Sequence, residues 1–102
     1  MNYLGNAFSL QMLDTSRSWN VSVEPVNAQE IPADVMNCIG HPDTAHVVGG
    51  LLGRSLEANR VSVKLTAGDT LYVAQIVGGR LPEGTTTLPE GFEMVFLKVT
   101  VR

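Results

Sequence analysis

The chain has 102 residues, 44 % of them hydrophobic and 17 % charged, with a formal net charge of −3 at pH 7. This composition suits one globular domain spanning residues 1–102, and the acidic balance argues against sequence-independent binding of long nucleic acid. No apolar run nears the roughly 20 residues that cross a bilayer, the first ten residues lack signal-peptide features, and a single cysteine, Cys38, fits a thiol in a reducing cytoplasm.

In chain order, Asn2 to Phe8 reads as an opening strand and Ser9 to Leu13 as a turn or helical turn. Val21 and Val23 alternate with Ser22 and Glu24, a strand signal that Pro25 stops. Ile31 to Cys38 predicts a short helix with Pro32 in its first turn. A stronger helix follows Gly40. Pro42 suits its first position, Val47, Val48, Leu51 and Leu52 share one face, and Gly53 ends it. Gly49 and Gly50 each weaken that helix by about 1 kcal/mol relative to Ala; they fit close packing against a sheet or a subunit, or a frayed helix. Arg60 to Leu65 alternates cleanly, Ala67-Gly68-Asp69 is a turn, and Leu71 to Val77 is a strand, which together read as a hairpin. Residues 78–84 form a loop by their Gly and Pro content, and Met94 to Val101 is a last strand rich in β-branched and aromatic residues. The expected fold is one α/β domain with a mixed sheet of about five strands flanked by helices.

Three places could carry chemistry. His41 sits at the N-cap of the stronger helix, where free amides and the helix dipole favour phosphate. Asp43 and Thr44 could donate their amides there, whereas Pro42 has none; the plainer reading of His41 is a side chain that caps its own helix. Asn6-Ala7-Phe8-Ser9 follows the first strand and offers donors to phosphate or ribose, or ordinary turn hydrogen bonds. Arg80 and Glu83 lie in a Gly-rich loop where the backbone can approach a ligand and an Arg can fork onto phosphate. No Gly-x-Ser-x-Gly elbow, metal-ligand cluster or phosphate-loop motif is present.

Four strings recur in a familiar order over nearly the whole chain: Asn6-Ala7-Phe8-Ser9, Ile39-Gly40-His41-x-x-Thr44, Asn59-Arg60-Val61 and Arg80-Leu81-x-Glu83-Gly84. This pattern resembles the viral type III anti-CRISPR ring nucleases, small α/β homodimers from archaeal viruses, phages and some bacterial genomes. The resemblance implies metal-independent cleavage of cyclic tetra-adenylate, the messenger of type III CRISPR effectors, to linear di-adenylate with a 2′,3′-cyclic phosphate. It implies no cofactor. By position, His41 matches the catalytic histidine, and Ser9, Arg80 and Glu83 match other active-site positions. Asn6 matches a residue near the ligand, Gly40 and Thr44 lie in the histidine motif, and Arg60 and Gln75 match positions common in the family. The stretch from Thr85 to Glu93 is shorter than the family's segment before the last strand.

The chemistry fits. Cyclic RNA carries its own nucleophile, the 2′-hydroxyl, so the protein must align it, protonate the leaving 5′-oxygen and offset phosphoryl charge. A ring of four identical nucleotides has a two-fold axis, which a C2 dimer can share. Two other readings keep the same dimer: a protein that sequesters the cyclic nucleotide without cutting it, and a small regulator of a protein partner.

Overall fold

The computed structural model describes residues 1–102. Its strands are β1 (Asn2–Gly5), β2 (Val21–Pro25), β3 (Met36–Asn37), β4 (Thr70–Val77) and β5 (Glu93–Val101), and its one α-helix is α1 (Pro42–Leu52). They form a single mixed sheet in the order β2-β5-β4-β1-β3. β1 runs parallel to both β3 and β4, while β5 is antiparallel to β4 and β2.

The pleat sorts the core into two layers. On one face Leu4, Tyr72 and Ala74 pack with Ile31, Ile39 and the α1 residues Ala45 and Val48. On the other, Leu71, Val73, Val99 and Val101 pack with Leu13 and Leu65. β4 serves both: Leu71 through Ala74 are all buried. Burying each large apolar side chain there contributes about 1.5–3 kcal/mol.

Only one α-helix flanks the sheet, so the expectation of several is corrected. The second face is covered instead by irregular chain, with Phe8, Met12, Trp19 and Val63 packed on it. Residues 31–38 are not helical either. The chain makes a 3-10 turn at Ala28–Glu30 and then lays Met36–Asn37 beside β1, with Tyr3 opposite Met36 and Leu4 opposite Asn37. A segment of that length is marginal as an isolated helix, and β1 offers it an unpaired edge. β1 itself ends at Gly5, three residues short of Phe8, where the chain leaves the sheet for the second core layer.

Arg60 to Leu65 is extended but joins no ladder, and β4 makes its hairpin with β5 instead. Burial follows the alternation in 60–65 only from Val63 on: Val63 is half-buried and Leu65 buried, Ser62 and Lys64 are exposed, but Val61 is exposed too. The pattern reports a chain lying over the sheet rather than in it. The route explains this. After α1 the chain runs beside β3, where Asn37 donates to the Glu57 carbonyl and Asn59 donates to the Asn37 and Ile39 carbonyls. It then crosses to the second face, where the Leu65 amide bonds the Met12 carbonyl at 2.7 Å. The edge of β3 is thereby covered by the protein's own chain.

α1 starts and stops as its residues dictate. His41 is the N-cap, Pro42 is in the first turn, and Gly53 ends it at φ 69° with its N–H turned back to the helix. The buried side includes Thr44, Ala45, Val47, Val48 and Gly49. Leu51, expected on the buried face, is 43 % exposed. Gly49 is the close approach: a Cβ there would stand 2.6 Å from the Arg54 carbonyl oxygen, whereas one at Gly50 would meet nothing.

Candidate functional site

The carboxyl ends of β1, β3 and β4 point the same way. Beyond β1 the chain turns to the second face, and beyond β3 it enters α1 on the first. Such divergence opens a crevice outside the strand ends, the usual ligand position in open α/β sheets. Asn6 leaves β1 there, Gly40, His41 and Thr44 follow β3, and residues 78–84 follow β4.

His41, Thr44, Arg80 and Glu83 line one cleft of about 580 Å³, with Ile76 and Leu81 as its apolar wall. The His41 ring is exposed, and its Nδ1 accepts the Asp43 amide at 3.2 Å. An accepting Nδ1 carries no proton, so this bond assigns the ring proton to Nε2, the nitrogen left for a ligand. The plain reading of His41 as a helix cap is therefore correct, and it leaves the outer nitrogen available. The Asp43 amide, expected to face a phosphate, is taken by the histidine. Pro42 has no N–H and the Ala45 amide bonds the His41 carbonyl, so Thr44 keeps the first-turn amide without a protein acceptor.

The loop carrying Arg80 and Glu83 depends on glycine. Gly78 has φ 121°, and a Cβ on it would lie 2.8 Å from the Gly91 carbonyl oxygen. Farther along, the Gly84 amide donates to Asp43 Oδ2 at 2.8 Å, joining the loop to the first turn of α1. Arg60 borders the same end of the sheet, since a Cβ on Gly40 would stand 3.3 Å from Arg60 Cβ. Glycine at position 40 lets the 59–61 segment pass against the histidine motif.

Other expected residues fall outside this cleft. Ser9 caps the 3-10 turn at Leu10–Met12, its Oγ accepting the Gln11 amide at 3.2 Å. It borders a separate depression of about 250 Å³ with Gln11, Met12 and residues 61–64. Asn6 is exposed at the end of β1. Gln75 is exposed on β4, and the pleat turns it away from Ile76, toward the face opposite α1. Within one chain, His41, Thr44, Arg80 and Glu83 come together, Arg60 adjoins them through Gly40, and Ser9 and Gln75 stand apart. Sequence reasoning missed the Asp43 carboxylate and the apolar wall. An acid at the second position of a helix was the available signal for the first; Leu81 stood only as part of the Arg80 string, and Ile76 had no signal.

No three His, Cys, Asp or Glu side chains converge where a metal could be held. Cys38 is half-buried, burial pushes its thiol pKa up, and its Sγ donates to the Met36 carbonyl at 3.4 Å. That makes it a poor nucleophile. No helix is long and apolar enough to cross a membrane.

The sheet order and the His-Arg-Glu cleft define a small α/β domain with a candidate anion site at the strand ends. The chain belongs to the STIV B116-like family, whose sequence profile matches residues 2–98. It is 29 % identical over 99 residues to ORF116, an uncharacterised protein of Acidianus filamentous virus 1, across 93 % of this chain and 84 % of that protein. Its fold resembles B116 of Sulfolobus turreted icosahedral virus with a TM-score of 0.77 and 25 % identity, covering 97 % of each chain.

Proposed function

We propose that the protein is a ring nuclease that binds cyclic tetra-adenylate and cleaves it without a metal, acting as a homodimer in the cytoplasm and silencing type III CRISPR signalling. The observation that carries this reading is the shared cleft of His41, Arg80 and Glu83 at the N-terminus of α1. A phosphodiester there meets the Thr44 amide, the positive end of the helix and the Arg80 guanidinium.

The ribose 2′-oxygen attacks the adjacent phosphorus and the bond to the 5′-oxygen breaks, leaving a 2′,3′-cyclic phosphate. His41 acts as the imidazolium, with Nδ1 protonated and released from the Asp43 amide; it gives its Nε2 proton to the departing oxygen and ends as the neutral ring, a role worth roughly 10²–10⁴-fold. Glu83, the carboxylate among the lining side chains, takes the proton of the 2′-hydroxyl. Arg80 offsets the charge that grows on the phosphoryl oxygens. Nothing in this sequence of steps draws on a metal.

Ser9, Asn6 and Gln75 lie beyond the cleft of a single chain, which suits a ligand that extends past one phosphate. In the dimer, two opposite linkages of the ring each meet one His41. The test is incubation of purified protein with cyclic tetra-adenylate in EDTA, followed by chromatography. Linear di-adenylate is expected. An intact ring that stays bound supports sequestration instead, and an intact ring that does not bind favours the protein-partner regulator.

A further inference from the structure

The two halves of the proposed site lie on separate stretches of chain. His41 and Thr44 belong to the start of α1, whereas Arg80 and Glu83 belong to the loop after β4. The loop's own bonds do not place it. The Thr85 amide and hydroxyl both turn back to the Pro82 carbonyl, closing a local turn, and Gly78, Gly79 and Gly84 hold positive φ. What ties the loop to the helix is Asp43. Its Oδ2 accepts the Gly84 amide at 2.8 Å, and its own amide donates to His41 Nδ1 at 3.2 Å.

We infer that Asp43 is a positioning residue: its carboxylate ties the loop that carries Arg80 and Glu83 to the first turn of α1, beside His41, and its amide holds the neutral His41 ring. The activity part of this inference rests on the ring-nuclease reading; the structural part does not. A carboxylate beside an anion site is unfavourable if it faces the ligand. Here it is turned onto an amide in a charge-assisted hydrogen bond, at a helix N-terminus that favours negative charge. A misplacement of about 1 Å in reacting groups costs up to about 10²-fold in rate, so a bond that orients the loop has leverage on chemistry without touching substrate.

Two variants separate positioning from simple charge. Asp43→Ala keeps the amide to His41 and removes the bond to Gly84, while Asp43→Asn keeps an acceptor oxygen and removes the charge. In the full chain, Gly84 amide exchange by NMR and steady-state cleavage of cyclic tetra-adenylate are measured for both. Asp43→Ala should exchange Gly84 several-fold faster and lose about ten- to a hundredfold in kcat, with its melting temperature nearly kept. Asp43→Asn should restore both readouts most of the way. An unchanged Gly84 amide in Asp43→Ala overturns the tether, and unchanged kcat with a released amide overturns the positioning role. Tighter ring binding by both variants alike shows Asp43 to be a repelling charge instead. If the wild type cuts no ring, the cleavage reading and the activity part fall together, and Gly84 exchange alone decides whether Asp43 holds the loop.

Discussion

On the ring-nuclease proposal His41 carries two functions on one ring, and substitution separates them. Nδ1 of the neutral ring caps α1 through the Asp43 amide, and in the proposed reaction Nε2 of the imidazolium protonates the leaving oxygen. His41→Ala should lose both, costing about 1 kcal/mol of stability and about 10²-fold or more in kcat, with ring binding largely kept. His41→Asn preserves a good cap, so its melting temperature should match the wild type while kcat stays as low as in the alanine variant. Wild-type cleavage by His41→Asn would reduce the histidine to a cap. Arg80→Ala should weaken both binding and rate, because its charge serves ground and transition states; unchanged affinity in a titration would count against that role. Asp69, far from the site, sets an acid limit. Burial pushes its carboxyl up, but the Thr66 amide, the Met1 ammonium and the Thr66 hydroxyl together hold it below its usual range. A depressed folded-state pKa contributes stability above the unfolded pKa, and that contribution is lost as pH falls through the folded value. Melting temperature should therefore fall as pH drops from about 5 toward 3, and Asp69→Asn should be less stable at neutral pH with a shallower decline in that window.

At the scale of elements, α1 offers a paired test of its adjacent glycines. Gly49 faces the returning chain, where a Cβ would stand 2.6 Å from the Arg54 carbonyl oxygen, while Gly50 has no neighbour within 4 Å. Gly50→Ala should stabilise the protein by about 0.5–1 kcal/mol through helix propensity alone. Gly49→Ala should destabilise it despite the same propensity gain, because backbone must move. Denaturant midpoints for both variants check the pair, and equal shifts of the same sign would show that α1 packs differently. The contrast also answers why a helix would carry two glycines in its last turn. Position 49 needs one to let residues 54–56 turn back against the helix, and position 50 lies on the open side.

For the whole molecule, the prediction concerns symmetry. If the ring spans two subunits, light scattering should give about twice the 11.0 kDa chain mass with or without ligand. A heterodimer of one wild-type and one His41→Ala subunit should bind a ring yet cut one of two opposite linkages efficiently, so linear tetra-adenylate should accumulate. A monomer that binds and cleaves at full rate would show the shared site to be wrong.

The residues by themselves determined the α/β class, the extent of α1 with His41 at its cap, the two long strands and the glycine loop that bears Arg80 and Glu83. Each of these rests on local physics: capping, fixed φ at proline, positive φ at glycine, and period-2 or period-3.6 burial. The tertiary structure decided where equal local signals went. Arg60 to Leu65 alternates and Leu71 to Val77 is a nearly continuous apolar run, both strand signals, yet only the second enters the sheet, because ladder partners are chosen by the whole chain. Residues 31–38 exchanged a weak local helix for an edge beside β1. The Asp43–Gly84 bond spans 41 positions, and no local pattern announces a contact at that distance. Periodicity records that a side chain is buried; which neighbour buries it is fixed only when distant segments meet.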